Sequence, residues 1–265
     1  MTLNEDPVDD AIESAIEHLD DGDPASALAA LEGLPAGDPE VALTSTEAWL
    51  ELGDPNRARS ALGASELPPE DPDRLWLEGQ ILLREWRLGE AERAFGELHE
   101  RAESAMSLTA LALCRELDGD FTSADAYLAA ASELDPDAYP LPTRVDAETF
   151  DRVVKEALGE LPAEFQNVLG ALRFLIEPMP ARERAGGGGP ATVPPGLLGL
   201  FTGPTLGELG GELPEPPRVY LFQRNIERVA RDEDELRLEI RTTLYHEIGH
   251  FLGHDEEGVE DMGLA

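Results

Sequence analysis

A repeating pattern of alanine and large apolar residues is the feature that most constrains how the first half of this chain can fold. Four segments superimpose an alanine and, four positions later, a large apolar residue. The superimposed pairs are Ala27 with Leu31, Ala58 with Leu62, Ala91 with Phe95, and Ala124 with Leu128. The intervals between these alanines are close to a period of about 34 residues, which is typical of repeated helix pairs, and a second helical stretch lies in each interval. The sequence therefore predicts stacked helix pairs, because a single pair cannot bury its apolar face alone.

The turns of these helix pairs carry a glycine in three of the four units, at Gly22, Gly53 and Gly119. With this period and a small alanine where helices cross, residues 8–138 resemble tetratricopeptide repeats, although Trp86 stands at the turn of the third unit. The resemblance implies a concave surface that can bind a peptide partner. The alternative is a scaffold that packs only against a neighbouring domain.

A proline-rich stretch at 135–144 separates the repeats from the rest of the chain. Its three prolines prevent a helix from continuing, which is typical of a linker. Asp146 then opens a helix with apolar residues at helical spacing. Short apolar runs bounded by Pro and Gly predict three strands, at 171–178, 196–203 and 218–225. We therefore expect a multi-domain protein, with an all-α repeat domain at 8–138 and an α+β domain with a small mixed sheet at 146–265.

The charge balance of the chain excludes some partners. Asp and Glu number 56 against 20 Lys and Arg, which gives a net charge of −36. Such a chain repels the phosphates of nucleic acids and anionic lipid surfaces, so we expect neither nucleic acid nor a membrane as a partner. The N-terminus lacks the basic and apolar regions of a signal peptide, and no window approaches 18 uninterrupted apolar residues. We therefore expect a cytoplasmic protein.

The last predicted helix, at 231–253, has the clearest signals in the chain. Asp232 is its N-cap, Glu235 follows in a capping-box pattern, and a glycine marks its end. An apolar residue recurs at every fourth position and predicts a buried stripe of Leu236, Ile240, Leu244, Ile248 and Leu252. His246 and His250 lie only about 40° apart and nearly opposite that stripe, so both imidazoles are expected to face a cleft.

Residues 246–250, HEIGH, form the His-Glu-x-x-His pattern. Two neutral imidazoles one turn apart can both reach a tetrahedral zinc ion, and the intervening carboxylate can hold a water whose pKa the metal has lowered. The sequence therefore predicts His246 and His250 as ligands of one Zn²⁺ ion and Glu247 as the catalytic base. Cys114, the only cysteine, excludes a cysteine zinc cage. The alternative interpretation is a surface-exposed pair of histidines.

A third protein ligand is expected just after this helix. His254 would lie about 6 Å further along the helix axis, a full turn beyond the metal. Gly253 can adopt a positive φ and turn the chain back, so that Glu256 can point at the zinc from another direction. Glu256 is the tenth residue after His246, where HExxHxxGxxH enzymes place their last histidine. We predict Glu256 as the third ligand, with His254 as the main rival and Asp255 as a neighbouring alternative.

The order of strand, loop and motif after Phe150 resembles the minimal zincins, a family of small bacterial zincin-like metallopeptidases. The resemblance is carried by LLGLFTGPTLGELGGELPEPPRVYLFQRNIE, an acidic DEDEL and TTLYHEIGHFLGHDEEGVEDMG. It implies a short sheet, the HExxH helix and one supporting helix, and an acidic third ligand. The implied reaction is peptide-bond hydrolysis, in which Glu247 takes a proton from the zinc water and passes it to the departing amine.

Two further expectations concern substrate binding. A strand near 197–202 would align an extended substrate by main-chain pairing. Tyr220 and Arg224 are candidates for stabilising the oxyanion, whereas Tyr245, rotated by about 100° from His246, is expected to point elsewhere.

Two functions remain open from the sequence. The first is a zinc metallopeptidase whose repeat domain recruits a protein partner or substrate. The second is a non-catalytic protein-interaction adaptor with a metal-binding zincin fold. The intact Glu247 favours the enzyme, because a metal-binding scaffold gains little from a base at that position.

Overall fold

The computed structural model describes residues 7–161, 163–167, 169–182, 193–209, 216–254 and 258. The chain divides into two compact units, Met1–Leu134 and Asp135–Ala265. No helix in these described ranges is long and apolar enough to cross a membrane.

The first unit is helical, with eight helices in its described part. They are α1 (Pro7–Asp20), α2 (Pro24–Ala30), α3 (Pro39–Glu51), α4 (Pro55–Ala64), α5 (Pro72–Arg84), α6 (Leu88–Arg101), α7 (Ala105–Leu117) and α8 (Phe121–Leu134). Consecutive helices pack in pairs, and each pair packs on the next. The four aligned alanines are each fully buried, and the large apolar residues that follow them are buried as well. The predicted helix pairs are confirmed, while the closer resemblance to tetratricopeptide repeats stays a prediction.

The two helices of each pair are joined by the same kind of left-handed turn. Gly22, Gly53 and Gly119 have φ angles of 73°, 72° and 83°, and Trp86 takes a φ of 58° at the same place in the third pair. In each turn the residue with the positive φ donates its N–H to the carbonyl of the residue three positions before it. The following residue donates its N–H to the carbonyl of the residue five positions before itself. A positive φ costs a residue with a side chain roughly 1–2 kcal/mol. The third turn therefore keeps the shared geometry although it lacks the glycine.

The second unit combines helices with a three-stranded sheet. Its described elements are α9 (Ala147–Glu160), α10 (Ala163–Gln166), β1 (Arg173–Glu177), β2 (Gly199–Thr202), β3 (Arg218–Phe222), α11 (Gln223–Val229) and α12 (Glu233–Leu252). The strand order is β1-β3-β2, with β1 parallel and β2 antiparallel to β3. Each strand lies within one of the three apolar runs, so the predicted α+β fold with a small mixed sheet is confirmed.

The core of this unit joins the sheet to α9 and α12. One buried cluster contains Phe150 of α9, residues of β3 and the apolar stripe of α12. The stripe is buried at Leu236, Ile240, Leu244 and Ile248. Leu252 is only half-buried, and the prediction of a fully buried stripe is wrong at this position. Phe251 is fully buried instead, because its ring packs against Phe201 of β2 with the ring centroids 5.8 Å apart.

The end of the proline-rich stretch is bound to α11. The N–H of Thr143 donates to the carbonyl of Glu227 at 3.2 Å. The Glu227 carboxylate accepts hydrogen bonds from Arg144 Nη1 at 3.0 Å, the Val145 N–H at 3.2 Å and Gln223 Nε2 at 2.7 Å. Glu227 is only 2% exposed, so its charge is compensated by these donors rather than by water. Thr143 and Arg144, at the end of the predicted linker, are therefore packed within the second unit.

Candidate metal centre

Helix α12 carries the HEIGH motif and is capped at both ends. The carboxylate of Asp232 accepts hydrogen bonds from the N–H groups of Asp234 and Glu235, at 3.0 and 2.9 Å. The carboxylate of Glu235 in turn accepts from the N–H of Arg231 at 2.9 Å. Gly253 ends the helix with a φ of 94°. The predicted N-cap at Asp232 and the glycine at the helix end are confirmed, and they stabilise the helix on which the motif depends. The predicted capping box is displaced by one residue, because the Glu235 carboxylate accepts from the N–H of Arg231 and not from that of Asp232.

The imidazoles of His246 and His250 lie next to each other on one side of α12. Their Nε2 atoms are 3.0 Å apart, and their ring centroids are 4.6 Å apart with the planes at 87°. Both residues are half-buried. The two ring nitrogens are therefore close enough for a single ion to contact both.

A backbone contact selects the tautomer of His250. Its Nδ1 lies 3.1 Å from the carbonyl oxygen of His254. Because a carbonyl oxygen only accepts hydrogen bonds, Nδ1 carries the hydrogen, and in the neutral ring Nε2 then keeps its lone pair. In this tautomer Nε2 can bind a metal, and the second contact of the ring fixes its orientation.

The separation of the two Nε2 atoms fits a zinc ion. Two nitrogens bound tetrahedrally at about 2.0–2.1 Å lie about 3.3–3.4 Å from each other. The observed 3.0 Å is within a few tenths of an ångström of that value. Neutral imidazoles are also among the ligands that zinc prefers. The residues present therefore suit the metal that the motif predicts.

The structure leaves the third ligand as a prediction. Glu256 and Asp255 lie outside the described residues. Within the ranges that the structure does describe, no three His, Cys, Asp or Glu side chains come together as a metal-binding group. His254, the rival candidate, is exposed, and its carbonyl contacts the Nδ1 side of His250.

Glu247 is held between α12 and β2. Although its side chain ends in a carboxyl group, it is only 7% exposed. A Cβ atom added to Gly199 of β2 would lie 2.9 Å from both Cγ and Oε1 of Glu247, so the strand passes unusually close to this carboxylate. The glycine thus allows the strand backbone to lie against the Glu247 side chain.

The family comparison agrees with this arrangement. Residues 169–264 match the family model described as zincin-like metallopeptidase. The chain carries a zincin-like metallopeptidase domain. The matched region contains β1, β2, β3, α11 and α12, whereas α9, which packs on α12, precedes it. None of the curated proteins compared with the chain matches it.

Tyr220 does not face the histidines of the zincin-like domain. Side chains alternate between the two faces of a strand. Val219 and Leu221 of β3 belong to the core shared with α12, so Tyr220 lies on the opposite face, where its ring stacks on Phe222 at a centroid distance of 6.4 Å. The sequence left Tyr220 and Arg224 open as possible oxyanion-stabilising residues, and the placement of the Tyr220 ring on this face does not support Tyr220 in that role.

Tyr245 points away from the motif, as expected. Its hydroxyl donates a hydrogen bond to the carbonyl of Ala157 in α9, at 2.9 Å. Burial, followed by the negative charge of Glu160, raises the pKa of Tyr245 above its ordinary value. This tyrosine therefore joins the supporting helix α9 to the zincin-like domain.

Gly199 is the residue of this site that sequence reasoning missed. An isolated glycine inside an apolar run that predicts a strand is a signal for the close approach of another element. The run at 196–203 contains such a glycine, but a single sequence does not say which element approaches it.

Proposed function

We propose that this protein is a zinc-dependent metallopeptidase. His246, His250 and Glu256 would bind one zinc ion, and Glu247 would act as the general base. The observation that supports this proposal best is the 3.0 Å approach of the two Nε2 atoms within a domain that matches the zincin-like metallopeptidases.

Glu247 would carry out the proton transfers of the reaction. A zinc ion bound by the imidazoles supplies a Lewis acid and lowers the pKa of a water molecule toward neutrality. Glu247 follows His246 directly and is confined by β2, which limits the directions its carboxylate can take. From there it would accept the proton of the attacking water and later donate it to the departing amine.

Strand β2 would align the substrate. It lies at one end of the strand order β1-β3-β2, and its first residue, Gly199, is next to Glu247. An extended peptide that pairs with the outer edge of this strand would pass close to the base. Main-chain pairing of this kind gives affinity with little dependence on the substrate side chains.

The repeat region at 8–138 would recruit a protein partner or substrate. Its support is the stack of helix pairs, because such stacks form extended surfaces suited to binding peptides. The strongly negative charge argues against nucleic acid as that partner.

The proposal is tested by metal analysis of the purified full-length chain, followed by cleavage of an unbiased peptide library. We expect one zinc per chain, loss of cleavage when a chelator removes the metal, and recovery when one equivalent of zinc is returned. A zinc-loaded chain that cleaves no peptide would instead support the non-catalytic adaptor.

A further inference from the structure

Strand β2 and helix α12 contact each other at two points in register. Gly199 lies against Thr243 and Glu247, and two residues later Phe201 packs on Phe251. Two residues of a strand span about 6.7 Å and four residues of a helix about 6 Å. The two contacts are therefore separated by nearly the same length along β2 and along α12. Gly199 is thereby placed at the level of the base.

The glycine at this position is required for space and not for backbone conformation. The glycines with positive φ in the described ranges are Gly22, Gly33, Gly53, Gly119, Gly203 and Gly253, and Gly199 is not among them. A Cβ atom at position 199 would lie 2.6 Å from Cγ2 of Thr243 and 2.9 Å from Cγ and Oε1 of Glu247. Distances below 3.0 Å are essentially never found for real Cβ atoms. An alanine would therefore fit the backbone and still displace its neighbours.

We infer that Gly199 is a positioning residue for the catalytic base, an inference that rests on the proposed peptidase function. The missing side chain lets Glu247 lie against the β2 backbone and sets the direction of its carboxylate. Ordinary van der Waals contact begins at 3.4 Å. A methyl group at position 199 can be that far from Glu247 only if the Glu247 carboxylate moves or β2 moves away from α12. Either movement shifts the base relative to His246 and His250.

Thr243 offers a compensating change. Its Cγ2 is the nearest atom to a Cβ at position 199, and Thr243→Ser removes that methyl group while keeping the hydroxyl. In the double variant, a methyl group at position 199 can shift toward position 243 and away from Glu247. The effect of the first substitution on Glu247 should therefore be partly reversed by the second.

The test compares zinc-loaded full-length wild type with Gly199→Ala, Thr243→Ser and the double variant on a peptide identified in the library. Gly196→Ala is the matched control, because its Cβ would meet nothing within 4 Å and its φ is not positive. We expect Gly199→Ala to lower kcat about tenfold, since a shift of about 1 Å in a reacting group can cost about 100-fold and the carboxylate moves by only about half of that here. KM should change less than about threefold and zinc content not at all, because binding is retained. Adding Thr243→Ser to Gly199→Ala should raise kcat again by about threefold, and Gly196→Ala should match wild type.

Crystal structures of the same variants give a readout that does not depend on activity. The Glu247 carboxylate should move by several tenths of an ångström relative to the α12 backbone in Gly199→Ala and return toward its place in the double variant. An unmoved carboxylate, an unchanged kcat, or a loss of zinc that explains the lost activity would overturn the inference. If wild type cleaves no peptide, the proposed function fails, while the crystal structures still decide whether Gly199 sets the position of Glu247.

Discussion

Replacing Glu227 by Gln is predicted to destabilise the C-terminal unit and to leave the repeat unit unchanged. The carboxylate of Glu227 is 2% exposed and joins α11 to the segment that enters this unit. Its three donors are Arg144 Nη1, the Val145 N–H and Gln223 Nε2. Gln keeps the shape of the side chain, so no cavity forms. It loses the charge, however, and turns an NH₂ group toward one of these donors.

The magnitude follows from the burial of the two charged partners. Breaking a fully buried ion pair by changing one partner costs about 3–5 kcal/mol. The Arg144 side chain remains 27% exposed and can recover some hydration, so the lower end applies and we expect about 3 kcal/mol. Glu156→Gln is the matched control. Its carboxylate also accepts from two arginines, Arg152 and Arg237, but the side chain is 46% exposed, and water screens such exposed pairs so that they contribute little to stability.

The assay uses the placement of the tryptophans. All three, Trp49, Trp76 and Trp86, lie in the repeat unit, so their fluorescence follows only that unit during urea unfolding. Far-UV circular dichroism follows helices in both units. Unfolding of the C-terminal unit should be visible by circular dichroism and not by fluorescence. Glu227→Gln should lower the urea midpoint of that transition and leave the fluorescence transition of the repeat unit unchanged. Equal effects of Glu227→Gln and Glu156→Gln, or a shift of the fluorescence transition by the same amount, would refute this reasoning.

Three further predictions concern the metal, the repeats and the thiol. Zinc affinity, measured by competition with a chromogenic chelator, should fall markedly in Glu256→Ala and much less in His254→Ala or Asp255→Ala. The opposite ranking would assign the third ligand to another residue. A fragment of residues 1–138 should melt cooperatively as a helical domain in circular dichroism, because its contacts are to neighbouring repeats, and a non-cooperative melt would contradict the domain division. Burial raises the pKa of Cys114 to about 12, so its thiol should react with a disulfide reagent at pH 8 only after urea unfolds the repeats, and fast labelling of the native chain would contradict this burial.

The elements of the fold could be predicted because their signals are local. The N-cap at Asp232 and the exit at Gly253 are set by contacts within a few residues, and the structure has both. The strands β1, β2 and β3 could be predicted in the same way, because each lies inside a short apolar run bounded by Pro or Gly. Trp86 shows the limit of such rules, since the chain makes a left-handed turn at a residue whose type disfavours one.

The contacts that shape the site could not be predicted because they join residues far apart in sequence. Gly199 meets Thr243 and Glu247 only after β2 has packed on α12. Glu227 meets Arg144 across 83 positions of the chain. The histidine pair could be predicted because one helix carries both histidines. The proposed third ligand could not be decided, because it depends on the path of the chain after that helix.

The most direct test of the account is hydrolysis by Glu247→Gln in the full-length, zinc-loaded protein. The amide replaces the carboxylate with little change of shape but cannot act as a base. We expect the variant to bind zinc and to unfold like wild type, while cleavage of the library peptide falls by at least about 100-fold. A variant that holds zinc and cleaves as fast as wild type would contradict the assignment of Glu247 as the base.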